Sequence, residues 1–318
     1  MKSRKLIVGT RSSPLALAQT RMFCEALALL DHPPAIKVLE MQTTGDRQLD
    51  WDLSKAAAAG GGKGLFTGEL EIAMEQGRID CAVHSVKDLP SELPDGFTLA
   101  ALLPRGASGD VIVTMESGLL PTNAAFATGS PRRRQFLGHV APGWTFADVR
   151  GNVGTRLRKL RENDSWHGLV LATAGLIRLG HTQPGSRVME CEGHAFYLTD
   201  AANYGLYPAP GQGIIGVECR SDSPALEWLS QLDDPPTRRA AECERSLLRV
   251  LACGCHAPVG VLTVEENGVL LVDARMFREG EDLPREARMA FRVKPGEVMD
   301  DATMRLQCGP LLVREGGV

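Results

Sequence analysis

The alternation of apolar and polar positions along the chain predicts its elements in three stretches. In the first, Lys5-Leu-Ile-Val-Gly9 is an apolar run of buried-strand length. Ser12-Ser-Pro14 then starts a helix, with serine at the cap and proline in the first turn. Leu15, Leu17, Ala18, Met22, Ala26 and Leu29 give that helix an apolar face to about residue 30. A second strand is expected over Ile36–Met41, a helix over Phe66–Gln76 and a strand over Asp80–Val83. Residues 43–62 form a long polar, Ala/Gly-rich connection, of the kind that serves as a functional lid or is disordered.

The second stretch repeats the alternation. Val111–Thr114, Ala124–Thr128, Trp144–Val149 and Gly168–Ala172 read as strands, and Pro131–His139, Val153–Glu162 and Ala174–Gly180 as helices. Ile214–Cys219 is a further strand able to return to the first stretch. The pattern predicts an α/β fold of two lobes, each a mainly parallel sheet with helices on both faces, enclosing a cleft. Asp233-Asp-Pro-Pro236 marks the clearest boundary. Beyond it Thr237 is expected to cap a helix whose Ala240, Cys243, Leu247 and Leu251 share one face. Runs at 259–264, 269–276 and 289–293, with a hairpin signal at Glu266-Asn-Gly268, complete a small α+β domain. The expected domains are 1–104 with about 211–232, 105–210, and 233–318.

Composition changes this picture little: of 318 residues 43% are hydrophobic and 23% charged, as in an ordinary globular chain. A net charge of −4 argues against general nucleic-acid binding. No run approaches the roughly 18 apolar residues of a membrane helix and no signal-like segment follows Met1, so a cytoplasmic protein without membrane partners is expected. Eight cysteines are too sparse for a disulfide scaffold, and most lie inside apolar runs as inert thiols. Cys253 and Cys255 differ, since Leu251-Ala-Cys-Gly-Cys-His-Ala-Pro258 is a Gly- and Pro-bounded loop that can hold a reactive thiol. Cys253, Cys255 and His256 also admit a zinc reading. The spacing is not the usual two-residue spacer, and the fourth candidate, Cys243, sits on an apolar helix face, so no metal is expected.

The arginines are placed unevenly. Thr128-Gly-Ser-Pro-Arg-Arg-Arg134 follows a strand and opens a helix, and Arg150-Gly-Asn-Val-Gly-Thr-Arg156 repeats the arrangement. Arg178 lies beyond the next strand, and Arg11 ends the first. Helix N-termini with nearby guanidinium groups attract anions, and strand C-terminal ends are where α/β proteins bind ligands. A ligand with several carboxylates or phosphates is implied, and a two-lobed anion receptor without catalysis would use the same arginines. Gly60-Gly-Gly-Lys-Gly64 is not a P-loop, since Gly64 stands where Ser or Thr is needed. Asp88, after Lys87 at a strand-to-loop transition, is either a turn cap or a carboxylate able to stabilise a cation. His84, at the end of a buried strand, reads as structural.

These residues together resemble the porphobilinogen deaminase family over nearly the whole chain. The markers are Thr10-Arg-Ser-Ser-Pro-Leu-Ala-Leu17, Gly61-Gly-Lys-Gly-Leu-Phe66, Val83-His-Ser-Val-Lys-Asp-Leu-Pro90, Arg150–Arg156, Pro210-Gly-Gln-Gly213 and Gly254-Cys-His-Ala-Pro-Val259. Departures are Gly109, where the family's pattern has an arginine, and Ser130-Pro-Arg-Arg133 with its extra Arg134.

The resemblance implies two lobes like those of periplasmic binding proteins and a C-terminal domain carrying a dipyrromethane cofactor. The cofactor is joined by a thioether to Cys255. It further implies stepwise addition of four porphobilinogens, each losing ammonia, and release of a linear tetrapyrrole by water. Asp88 is the implied catalytic residue, also touching the cofactor with Ser13, Lys87, Thr128, Ser130, Arg132 and Arg133. Arg11, Arg150, Arg156, Arg178 and Lys63 are implied to bind the substrate's carboxylates. The expected partner is the small-molecule substrate alone, with the protein a monomer.

Overall fold

A computed structural model gives the fold and describes residues 5–43, 67–252, 257–278, 281, 283–292 and 299–312. Lys63, the Gly60–Gly64 run, Cys253, Cys255 and His256 lie outside the described residues. The chain folds into two compact units, residues 1–106 with 214–238, and residues 107–213 with 239–318. Among the described residues no helix is long and apolar enough to cross a membrane.

In the first unit β1 (Lys5–Arg11) runs parallel to β2 (Ala35–Met41) and to β3 (Cys81–Ser85). The later strand β11 (Ile215–Arg220) returns antiparallel between β3 and β4 (Phe97–Leu102), giving the order β2-β1-β3-β11-β4. Helix α1 (Pro14–Ala28) covers one face, burying Phe23 and Leu27 against Leu6, Val8, Val83 and Val217. Helix α2 (Gly68–Glu75) covers the other, with Leu70, Ala73 and Met74 over Ala82. Alternate residues of a strand face opposite ways, so Cys81, Val83 and Ser85 look toward α1, and Ala82 and His84 toward α2.

The second unit holds two sheets. In the first, β6 (Ala125–Ala127) pairs parallel with β7 (Thr145–Ala147) and β8 (Gly168–Ala172). Beyond β8, β5 (Asp110–Thr114), β10 (His194–Asp200) and β9 (Val188–Cys191) pair antiparallel, giving the order β7-β6-β8-β5-β10-β9. Helices α3 (Pro131–Val140), α4 (Val153–Arg161) and α5 (Thr173–Arg178) connect its strands. Both α/β sheets are therefore mixed, not mainly parallel. The parallel pairs are those joined by helices, whereas β9 and β10 meet at the turn Glu192-Gly193, both with positive φ, as a tight hairpin requires.

The short helix α6 (Leu226–Leu229) belongs to the first unit, and α7 (Pro235–Val250) follows. The cap of α7 is Asp234, whose carboxylate accepts from Thr237 N at 2.9 Å. Pro235 and Pro236 fill the first helical positions, where a missing N–H costs nothing, and so push Thr237 inside the helix. Its hydroxyl instead accepts from Arg105 N at 2.9 Å. The hairpin over Asn267-Gly268 joins β12 (Val259–Glu266) to β13 (Val269–Met276), and β14 (Arg285–Arg292) completes an antiparallel three-stranded sheet. Helices α7, α8 (Asp301–Gln307) and α9 (Gly309–Leu312) bury its inner face around Leu247, Val261, Val272 and Met289.

The two sheets of this unit meet through aromatic side chains. Phe136 of α3 stacks edge-on with Phe277 at 5.0 Å, and Tyr207 donates to Asp273 at 2.9 Å beneath the Arg275 guanidinium. Gly260 of β12 sits under this layer, and a Cβ there would lie 2.5 Å from Tyr207 Cβ and 2.9 Å from Phe136 Cζ. Gly260→Ala is expected to destabilise this unit by about 1–3 kcal/mol through overpacking. Urea unfolding followed by tryptophan fluorescence checks it, and an unchanged midpoint would mean that the aromatic layer is not a packed joint.

Candidate active site

In the first unit the C-terminal ends of β1 and β3 lie beside the N-terminus of α1, and a pocket of about 60 Å³ opens there. Its walls include Arg11, Ser13, Gln19, Thr67, His84, Ser85 and Asp88. Local sequence explains each position. Ser13 caps α1 by accepting from Ala16 N at 3.3 Å, with Pro14 opening the helix, so its hydroxyl faces the strand ends. Gln19 donates to Ser85 Oγ at 2.8 Å, tying α1 to the end of β3. Directly after β3 a single 3-10 turn, Val86–Asp88, reverses the chain. Val86 and Leu89 anchor the turn in the core, leaving Lys87 half-buried and Asp88 exposed at the pocket edge.

Three of the residues implied by the resemblance, Arg11, Ser13 and Asp88, thus share one pocket, with Lys87 adjoining it. A carboxylate, a guanidinium and a hydroxyl on one wall combine an acceptor for N–H groups with donors for carboxylates. His84 and Gln19 line the same pocket. Gln19 carried no signal in the sequence: it is 3% exposed on the buried face of α1, whereas Met22 and Leu29 of the expected apolar face are exposed.

In the second unit Thr128 follows β6, and its hydroxyl accepts from Ser130 N at 3.2 Å. Ser130 caps α3 by accepting from Arg133 N. The next two side chains turn inward: Arg132 is 4% and Arg133 6% exposed. Arg132 donates to Asp110 Oδ2 at 2.7 Å and to Tyr207 O, and Arg133 to Asp110 Oδ1 at 2.6 Å and to Val170 O at 2.7 Å. Burial pulls the Arg132 guanidinium down from its ordinary value, opposed by Asp110 and reinforced by Arg133. One carboxylate between two guanidinium groups leaves this buried cluster with one net positive charge. Asp110 carried no signal in the sequence beyond its place at a strand start.

Asp148 is shared in the same way, at 2.9 Å from both Arg134 and Arg150. Gly151, at φ +116°, makes the turn into α4, whose cap Asn152 accepts from Thr155 N at 2.9 Å. Arg156 Nε donates back to Gly151 O at 2.7 Å. Arg178 is different: it donates to Gly213 O at 2.6 Å, and burial pushes its guanidinium down to about 10 with no carboxylate opposing the shift. Arg178 is half-buried, and no described carboxylate pairs with it. Gly109 has open space about its Cα, so the arginine of the family's pattern is missing without a steric reason.

All six described cysteines are free, and burial pushes each thiol up: Cys219 to about 11, and Cys24, Cys81, Cys191, Cys243 and Cys308 likewise upward. None of these is poised as a thiolate at neutral pH.

Residues 6–227 match the family model described as porphobilinogen deaminase, dipyromethane cofactor binding domain. The chain belongs to the porphobilinogen deaminase family. A porphobilinogen deaminase of Roseiflexus sp. (strain RS-1) is 40% identical over 316 residues, 98% of this chain and 97% of the relative. That of Shouchella clausii (strain KSM-K16) is 42% identical over 292 residues, 90% of this chain and 88% of the relative. Among solved structures, a methionine binding protein aligns over 76% of this chain and 94% of its own, with a TM-score of 0.38 and 10% identity.

The charge balance around Asp110 yields a prediction. Asp110→Asn leaves two buried guanidinium groups without their carboxylate, a loss expected to cost about 3–5 kcal/mol. Denaturant unfolding of the variant measures it, and a loss below about 1 kcal/mol would mean that the cluster is hydrated and contributes little.

Proposed function

We propose that this chain is a hydroxymethylbilane synthase, a transferase that deaminates porphobilinogen and joins four molecules head to tail into a linear tetrapyrrole. Family membership across the chain sets the reaction. The observation that carries the site assignment is the pocket holding Arg11, Ser13 and Asp88 together.

A dipyrromethane bears acidic side chains and an N–H on each ring, so its holder must offer cations, hydroxyls and an N–H acceptor. The residues fit: Ser13, Lys87 and Asp88 in the first unit, and Thr128 and Ser130 with the net charge of the Arg132–Arg133–Asp110 cluster in the second. We assign these as the residues that would hold it, with Cys255 as the covalent attachment. When bound, the group supplies a fixed anchor and a terminal ring for the chain under construction.

The protein's own groups then divide the work. Asp88, exposed at the pocket edge, accepts from a pyrrole N–H and stabilises the positive charge that develops as ammonia leaves porphobilinogen. Arg11, Arg150, Arg156, Arg178 and Lys63 hold substrate carboxylates, Arg178 being half-buried with no described carboxylate beside it. Arg132 and Arg133, already engaged with Asp110, act through net charge and by fixing the Thr128–Ser130 turn. We also propose that 1–104 with 211–232, 105–210, and 233–318 act as three domains of a cytoplasmic monomer.

Asp88→Asn keeps the shape and removes the charge. Turnover of porphobilinogen is expected to fall by about 10²–10³-fold, while the unfolding transition stays where it was. Tetrapyrrole release at near the parental rate would remove Asp88 from the chemistry.

A further inference from the structure

His84 reads from sequence as a structural residue, yet it lines the pocket that holds Asp88. Its surroundings are unusual for a core histidine. On the α2 face of the sheet, His84 of β3 stands opposite Gly216 and Ala82 opposite Glu218 of β11, so imidazole and carboxylate are diagonal neighbours. Nε2 lies 2.9 Å from Glu218 Oε2, with His84 6% and Glu218 0% exposed.

Glu218 has remarkably few means of compensation. Among the described residues neither its oxygens nor His84 Nε2 has an aligned hydrogen bond, and the imidazole is the basic group in contact with it. A fully buried carboxylate without donors is costly to the fold. A glutamate retained for packing alone would be matched by backbone N–H groups or replaced by an apolar side chain. This one keeps a single contact, to a ring that faces the ligand pocket. Glu71 of α2 adds to the negative environment. Its carboxyl is pushed up, first by burial and then by the charges of Glu218 and Glu75, with Thr67 and, more weakly, His84 opposing. Arg11 and Asp88 are the charged groups on the pocket side.

We propose that His84 is a proton-handling residue of this pocket, the Glu218 carboxyl 2.9 Å from Nε2 favouring the tautomer with its proton there. In that tautomer Nδ1 is the ring's acceptor. When Nδ1 takes up a proton, the buried Glu218 carboxylate stabilises the resulting imidazolium, the arrangement by which a carboxylate supports a general base. The chemistry has a use for such a group. Each addition breaks the aminomethyl C–N bond of porphobilinogen and forms a C–C bond. The hydrogen displaced from ring carbon leaves as a proton and ends on the departing ammonia as ammonium. Asp88 must stay ionised to stabilise the positively charged ring, so a second group that receives a proton and gives it back completes the cycle. This inference rests on the proposed function above.

The test uses full-length protein carrying its covalent adduct, verified by intact mass. In His84→Gln a polar side chain stays beside Glu218 but no longer titrates. kcat/KM is expected to fall by about 10²-fold and its acidic pH limb to disappear, with adduct mass and unfolding transition unchanged. Glu218→Gln should move the acidic limb and lower activity by a smaller factor. Independently of activity, ¹⁵N NMR of histidine-labelled parent protein should show His84 as the Nε2–H tautomer, and Glu218→Gln should abolish that preference. A His84→Gln enzyme with the parental rate and pH profile would overturn the proposal, as would a parent ring protonated at Nδ1 alone. If the parent carries no adduct and makes no tetrapyrrole, the proposed function fails first; an active, loaded parent with an indifferent His84→Gln defeats this inference alone.

Discussion

The return of β11 between β3 and β4 is the constraint on which the first unit depends. β3 is short, and its last residues must hold the turn Val86–Asp88 at the pocket edge. Pairing with β1 covers only Val8 and Gly9, whereas pairing with β11 runs the whole length from Cys81 to Ser85. Val86 N then donates to Ile214 O, carrying the support into the turn itself. Residues more than a hundred positions away in sequence therefore fix Asp88. The same strand places Glu218 behind His84. One antiparallel insertion thus completes the sheet, aims the carboxylate-bearing turn and sets an acidic side chain behind the pocket.

The second unit is organised by charge balance. Asp110 at the start of β5 takes both Arg132 and Arg133 into the interior, and Asp148 takes Arg134 and Arg150 nearer the surface. Each carboxylate cancels one of two positive charges, leaving excess cation at the start of α3 and after β7. That excess suits a ligand bearing carboxylates, and it explains why so basic a set of loops is tolerated in a folded domain. Arg178, half-buried and without a described carboxylate beside it, adds to the same excess of positive charge.

Much of this was legible in the sequence because it is local. The serine cap before Pro14, the helix opening after Ser130 and the Asn267-Gly268 hairpin all act within a few residues, and the structure has each of them. The inert character of Cys81, Cys219 and Cys243 followed from their apolar neighbours. What sequence reading missed is non-local. β4, β9 and β10 were not expected, and all three enter their sheets by antiparallel pairing, which α/β alternation alone does not predict. Asp234 took the cap expected of Thr237 because two prolines shifted the helix start. Asp110 stands at a strand start and Glu218 inside an apolar run, where nothing in the sequence says that a carboxylate there meets a guanidinium or an imidazole from a distant element. The inward turn of Arg132 and Arg133 followed from that same omission.

The central claim is that the chemistry proceeds on a pyrrole pair covalently held by Cys255, served by the Asp88 pocket. Tandem mass spectrometry of the tryptic peptide spanning 250–275, which contains both Cys253 and Cys255, tests it most directly. Protein purified with its native load, or incubated with porphobilinogen, should carry the mass of two pyrrole units on Cys255 and an unmodified Cys253. An adduct located on Cys253, or no adduct on either sulfur after incubation, would contradict the account.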